Sequence, residues 1–344
     1  MEISALHQKL DVVTAVILGP EDDFSSLEQA VMDLKELFME ASRLNPEAQI
    51  NKENLLLNTG VAIGPKWAGM CVDDVKRTKR FISGLDKAIQ EVRSSKTKGP
   101  VHIMYTGTGP FATLVWPLLS KYTPEELQLV LLEVNTVSIS SLKHLIKAFN
   151  AYDYIKEIYH CDASNFEYTS FNEDIDIVLI ECLQHALMRE PQVAITYNLL
   201  PQLRKDVILI PEEISLNVSL IDMDKKGEYE ETGNEEYSDF LEEVDCVFRL
   251  DKQTVAGRSA LNRQEVFNFD RREVVLEEDK LDRNDLLAIT TDIKIFKDEQ
   301  LHTYDSGLTA PLILADLNNA QKMKGVQTQY IVSNQPGIVS SIIR

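Results

Sequence analysis

Apolar residues recur at three- and four-residue steps through LEQAVMDLKELFMEASRL, where Leu27, Val31, Leu34, Leu37 and Phe38 share a face with Met32 beside them. That spacing predicts an amphipathic helix. Ser25 ahead of the run, with Glu28 three residues on, has the form of a capping box in which each side chain satisfies a free backbone N–H. A second helical pattern covers VDDVKRTKRFISGLDKAIQEV, with Val72, Val75, Phe81, Ile82, Leu85 and Ile89 as its expected buried positions, before SSKTKG breaks it. Residues 1–97 are therefore expected to form a helical N-terminal region.

From Val101 the period changes. Short apolar runs follow one another: VHIMYT, LQLVLLEV, the weaker IKEIYHC, DIDIVLIE and DVILIP, with helical stretches such as FATLVWPLL between the first three. Strands buried on both faces read as continuous apolar runs and need crossover helices. Residues 98–212 are thus expected to be an α/β unit, a Rossmann-like open parallel sheet whose ligand lies at the carboxyl ends of the strands. After Pro211 the pattern alternates, with Ile214, Leu216, Val218 and Leu220 separated by Ser215, Asn217 and Ser219. This is how a half-buried antiparallel strand reads, and LAITTDIKIF and QTQYIVS continue it. Residues 213–344 are expected to form an antiparallel β-rich region, a barrel or a sandwich. The acidic KKGEYEETGNEEYSDFLEEVD within it reads as a solvated loop or helix.

Composition narrows the function classes. A chain of 344 residues suits two or three packed units, and its 44% hydrophobic and 26% charged residues are ordinary for a globular protein. No apolar run approaches the roughly 18–20 residues of a membrane helix, and MEISALHQKLDVV lacks the order of a signal peptide, so the expected address is the cytoplasm, with no membrane partner. Cys71, Cys161, Cys182 and Cys246 have neither C-x-x-C spacing nor a histidine at zinc-ligand distance, so no metal is expected and the thiols read as packing residues. A net charge of −20 repels phosphate backbones and argues against nucleic acid. The surplus acid serves solubility, and it also suits a cationic peptide or amine.

Candidate chemistry begins at the turn Tyr105-Thr106-Gly107-Thr108-Gly109-Pro110 after the first strand run, where Gly107 and Gly109 let a ligand approach the backbone closely. Glu133 closes the second strand run, 24 residues after Gly109, where an acidic side chain can accept both hydroxyls of a ribose. On these features the chain resembles the class I methyltransferases that use S-adenosylmethionine (SAM). It departs from their pattern at Tyr105, where an acidic residue is usual, and at Phe111, where a third glycine is usual. A dinucleotide-binding oxidoreductase is the rival reading: TGTGPF lacks the full G-x-G-x-x-G spacing, although Ala112 is tolerable at its end.

Further features resemble the protein arginine methyltransferases in particular. VKRTKRF is similar to that family's R-T-x-x-Y helix. The resemblance implies that Arg77 pairs with the SAM carboxylate, a task suited to a planar guanidinium, while Phe81 stands for the aromatic. Asp162 in HCDASNF falls where an acidic residue contacts the adenine amino group. Glu181 and Glu190 in IECLQHALMRE match the nine-residue spacing of the family's two-glutamate loop, which implies a carboxylate clamp around a cation. His185 between them reads as a packed histidine, not a base. TYDSGLTAP at 303–311 is the nearest counterpart of a later T-H-W motif. The expected enzyme transfers methyl from SAM to a nitrogen of an arginine-like or amine acceptor, in a peptide or small molecule, with Tyr105 also at the cofactor. A natural-product O- or N-methyltransferase without the clamp, an oxidoreductase and a non-catalytic scaffold remain alternatives, and a homodimer is compatible with each.

Overall fold

The computed structural model describes residues 3–20, 23–169, 175–232, 240–256, 267–318 and 323–344. Helix α1 (Ile3–Ile17) buries Leu6, Leu10, Val13 and Ile17 against α2 (Phe24–Ser42), whose buried face holds Leu27, Val31, Leu34, Leu37 and Phe38, while Met32 is exposed. The cap of α2 differs from the capping box at Ser25. The helix starts earlier, and Asp23 is its N-cap, accepting Ser26 N–H at 3.1 Å, because a carboxylate at that end satisfies a free donor and also opposes the positive end of the helix dipole. Nor is the N-terminal region wholly helical: β1 (Leu55–Leu57) and β2 (Gly60–Ala62) form an antiparallel hairpin. Two three-residue strands are too short to display a period of two. Beyond α3 (Pro65–Met70), Asp74 caps α4 (Val75–Ser95), in which Phe81, Ile82, Leu85 and Ile89 are buried as expected, while Val72 is buried in a single 3₁₀ turn ahead of it.

The parallel sheet is made of β3 (Val101–Thr106), β4 (Leu127–Glu133), β5 (Ile155–His160), β6 (Ile177–Ile180) and β7 (Ile208–Ile210), in the order β5-β4-β3-β6-β7. The chain winds outward from β3 to β5, returns to the other side of β3 and continues to β7. The carboxyl ends of β3, β4 and β6 therefore surround the topological switch point, where open α/β sheets bind their ligands. Edge position explains the weak pattern of β5, whose residues are half-buried or exposed, whereas β6 is buried throughout. FATLVWPLL is not a regular helix. Gly109 and Ala112 take left-handed φ values of 57° and 47°, and only Trp116–Leu119 (α5) is helical, with the Trp116 indole N–H bonded to Phe111 O. The second crossover is α6 (Thr136–Ala148), capped by Asn135, and the last contains the fully buried α7 (Gln192–Leu199).

The C-terminal strands make two antiparallel sheets. In one, β8 (Glu213–Ile221) lies between β9 (Leu241–Asp251) and a later strand, with α8 (Met223–Thr232) in the connection. The other holds β10 (Phe267–Asn268) and β11 (Arg272–Val275). The first is completed by β12 (Leu286–Phe296), β13 (Glu299–Leu301) and β14 (Leu312–Asp316), and the second by β15 (Gly325–Val332) and β16 (Gly337–Ile343). No ladder joins the two sheets among the described residues. They meet through aromatic rings, Phe248 of β9 stacking on Tyr330 of β15 at 4.3 Å. The acidic stretch divides: part is α8, Leu241 onward is strand β9, and 233–239 lie outside the described residues. Among the described residues no helix is long and apolar enough to cross a membrane.

One contiguous apolar core runs from Leu6 in α1 to Val332 in β15. Helix α4 crosses from the parallel sheet to the first antiparallel sheet, where Gly84 meets β12 so closely that an added Cβ would sit 2.5 Å from Ile295 Cγ2. Gly84→Ala would gain about 1 kcal/mol of helix propensity, but the clash with a stiff β-branched side chain costs about 1–3 kcal/mol. We expect a net loss, seen in thermal unfolding as a Tm lower by a few degrees. A higher Tm would mean that α4 does not seat on β12 as described.

Candidate active site

A cleft opens at the carboxyl ends of β3, β4 and β6. Arg77, Tyr105, Gly107, Gly109, Glu133, Asp162, Glu181 and Glu190, drawn from helix, strand ends and loops, all line it.

The glycine turn is fixed by sterics and by one carboxylate. Gly107 has φ +77°, and a Cβ there would lie 2.2 Å from Cys182 Sγ and 2.8 Å from Glu181 O, so no other residue fits. Gly109 N–H donates to Glu133 Oε2 at 2.8 Å, Asn135 N–H donates to Oε1 at 2.7 Å, and the Thr108 hydroxyl lies 3.3 Å from Oε2. Glu133 thereby ties the turn after β3 to the start of α6. Burial raises its pKa, while these backbone donors act in the opposite direction. A carboxylate offers about four acceptor positions, and Val134 N–H is a fourth donor to Glu133, so a further donor takes the place of one of these bonds or shares its acceptor.

Arg77 and Glu181 form a buried bidentate pair, Nε to Oε1 at 3.1 Å and Nη2 to Oε2 at 2.6 Å, and Nη1 also donates to Cys71 O at 2.8 Å. The two side chains expected to meet cofactor and acceptor separately are thus partners of each other. Burial alone would disfavour the guanidinium charge, but the Glu181 carboxylate outweighs it and the Arg77 pKa lies above its ordinary value. Glu190 is 8% exposed, and burial, then the nearby Glu181 charge, pushes its carboxyl up to about 8, against smaller opposing effects of a Gln184 hydrogen bond, Arg77 and Arg189. The Tyr105 phenol is buried too, and burial followed by Glu181 raises its pKa well above the usual range. The departure at Tyr105 thus places a neutral ring beside the ion pair.

Asp162 accepts from Ser164 N–H at 2.9 Å and from its hydroxyl at 2.7 Å, and Thr59 of the β1–β2 turn donates to Ser164 Oγ at 2.8 Å. The hairpin, through Leu57, Val61 and Ala62, is a wall of the cleft that the sequence did not announce. Gln192, behind the cleft lining, was not announced by the sequence either: it accepts Cys182 N–H at 2.9 Å and donates to Ile180 O at 3.0 Å, locking the loop as it leaves β6. Cys71, Cys161 and Cys182, read from the sequence as packing residues, also line the cleft. Burial holds them as thiols, with Cys71 at about 11 and Cys161 at about 12. His185 does not line the cleft, and burial lowers its pKa. In the 303–311 segment, Ser306 Oγ and Gly307 N–H donate to Asp74 at 2.6 and 2.9 Å, and Leu308 lines the cleft.

No family model matches the chain. An uncharacterized protein of Methanocaldococcus jannaschii, MJ1452, is 27% identical over 187 residues, 53% of this chain and 65% of that protein, so the match spans just under two thirds of the relative's length. Among solved structures, a chain of the Trypanosoma brucei PRMT1 enzyme-prozyme heterotetrameric complex with AdoHcy is similar with a TM-score of 0.44 at 11% identity, covering 80% of this chain and 96% of that one. PRMT6 is similar with a TM-score of 0.48 at 10% identity, covering 79% and 97%. These likenesses concern the path of the chain, at identities too low to carry residue roles across.

The Glu190 environment makes a prediction that needs no ligand. A carboxyl raised from 4.5 to about 8 gives the folded state the tighter hold on the proton, so its stabilising contribution is full below the unfolded pKa and is lost as pH rises to about 8. Glu190→Gln removes that dependence. Its stability relative to the wild type should improve by a few kcal/mol between about pH 5 and 8 and level off above, measured by denaturant unfolding across pH. Parallel curves for the two proteins would contradict a buried, raised Glu190.

Proposed function

We propose that this chain is a SAM-dependent methyltransferase whose acceptor is a cationic or amine nitrogen, arginine-like, in a peptide or small molecule. The observation that carries the reading is Glu133, bonded at 2.8 Å to the glycine turn at the switch point of a parallel sheet and lining the same cleft as the Arg77–Glu181 pair and Glu190. The two glycines let a ligand approach the backbone beside the buried Glu133 carboxylate, which fits a ribose whose hydroxyls replace some of the donors that Glu133 holds here. Three Arg77 N–H groups are engaged here, and the other two fit a carboxylate. Asp162 supplies a further acceptor for an adenine amino group.

When bound, SAM supplies an activated methyl group on a sulfonium. The protein's part is alignment and the exclusion of water. Glu181, neutralised by Arg77, fixes orientation, and Glu190 supplies the carboxyl that answers the acceptor's charge. A cation entering beside Glu190 favours its ionised form, so acceptor binding releases a proton where Glu190 is still protonated. Neutral hydroxyl acceptors gain nothing from that charge, which favours the nitrogen reading over an O-methyltransferase.

Calorimetry tests the cofactor. S-adenosylhomocysteine should bind in the micromolar range usual for enzyme ligands, NAD should not, and Glu133→Ala should weaken binding by about 1–3 kcal/mol. Binding of NAD instead, or no change in the variant, would contradict the reading. With an acceptor found by mass-spectrometric screening of arginine peptides, amines and phenols, kcat/KM should rise with pH toward a plateau above about 8 as Glu190 ionises. Glu190→Gln should lose roughly tenfold to a hundredfold in turnover with cofactor affinity kept, whereas Glu181→Gln, which strands the Arg77 charge, should lose both turnover and stability. Methylation confined to neutral hydroxyls would remove the clamp from the account.

A further inference from the structure

The loop that joins Glu181 to Glu190 holds its shape against the preference of its own residues. Ala186, Leu187 and Arg189 adopt left-handed φ values of 53°, 52° and 66°, and none is glycine. Such conformations persist only where the surroundings over-determine them. Here the surroundings are the two C-terminal sheets. Ala186 N–H donates to Thr291 Oγ1 of β12 at 3.0 Å, the Tyr330 hydroxyl of β15 donates to Leu187 O at 2.7 Å, and Arg189 N–H donates to Pro336 O, just before β16, at 2.9 Å. From the other side, Val61 N–H of the hairpin donates to Arg189 O at 2.8 Å. Neither Thr291 nor Tyr330 lines the cleft, and both are buried.

We infer that Tyr330, seconded by Thr291, is a positioning residue of the active site: from the far sheets it sets where Glu190 stands, through the backbone of Leu187. The inference rests on the proposed function for its catalytic meaning, but the geometry it asserts can be tested without an acceptor. The Tyr330 ring is held independently of its hydroxyl by Phe248 at 4.3 Å and Phe269 at 5.9 Å, so Tyr330→Phe removes the one bond and keeps the packing. A buried Leu187 carbonyl without its donor favours relaxation of the left-handed pair, which would carry Glu190 toward solvent. The groups acting electrostatically on Glu190 are Glu181, Arg77 and Arg189, with the Cys71 and Cys182 thiols near it and a hydrogen bond from Gln184.

The experiment is the titration of the Glu190 carboxyl by carbon-detected NMR, assigned by its loss in Glu190→Gln. The wild-type midpoint should lie near about 8. In Tyr330→Phe it should fall by about one unit or more toward the ordinary carboxylate range, while S-adenosylhomocysteine affinity stays within about twofold. Tyr197→Phe is the control for general loss of a buried tyrosine bond, because its hydroxyl donates to Thr254 O at 3.0 Å, outside the loop. It should leave the midpoint in place. Thr291→Val should lower the midpoint and Thr291→Ser should restore it, and this pair decides the matter if Tyr330→Phe does not fold. An unmoved midpoint in a folded Tyr330→Phe, or an equal shift in Tyr197→Phe, overturns the inference. If the wild type fails to bind S-adenosylhomocysteine, the proposed function falls, and the midpoints still decide whether Tyr330 positions Glu190.

Discussion

The bidentate pair between Arg77 and Glu181 is the contact on which the rest of the cleft depends. It joins α4 to the end of β6 inside a buried site, with Nη2 and Oε2 at 2.6 Å, and a third Arg77 bond reaches Cys71 O. Buried ion pairs seldom add much net stability, since desolvation offsets the attraction, but removal of either partner strands a buried charge at a cost of about 3–5 kcal/mol. The pair therefore acts as a fixed hinge pin. Glu190 stands beside the pair, and burial, then the Glu181 charge, raises its pKa.

Around that pair the three regions of the chain are interdependent. Asp74 caps α4 through Arg77 N–H at 3.1 Å and is itself held by Ser306 and Gly307 from the C-terminal half. The hairpin bonds both the Asp162 loop, through Thr59 and Ser164, and the Glu190 loop, through Val61. A parallel sheet places ligands at its switch point by topology alone. The geometry of the loop between the two glutamates comes from outside that sheet, from β12 and β15, whose residues do not line the cleft, and from the hairpin, whose residues do.

What the sequence made legible follows from this division. The glycine turn, Glu133 and Glu181 were readable because each sits at the end of a strand whose continuous apolar run marks it, and strand ends in a parallel sheet converge. Their neighbours were not. Gln192 is a polar residue in a wholly buried helix, and nothing in its spacing announces that its amide closes on Cys182 N–H and Ile180 O. Thr291 and Tyr330 lie 105 and 143 residues from the backbone groups they hold, and a contact that distant leaves no local period. The FATLVWPLL segment misled for the opposite reason: its apolar spacing is helical, but left-handed Gly109 and Ala112 restrict the helix to one turn. Asp23 displaced Ser25 as cap because both are good caps, and pattern alone does not choose between candidates two residues apart.

The central claim is that the cleft at β3, β4 and β6 is built for an adenosyl ligand, with Glu133 at the ribose. A crystal structure of the chain grown with S-adenosylhomocysteine tests it most directly. The account predicts density for the nucleoside in this cleft, with both ribose hydroxyls within hydrogen-bonding distance of the Glu133 carboxylate. Density elsewhere on the molecule, or in the cleft with the ribose turned away from Glu133, would contradict it.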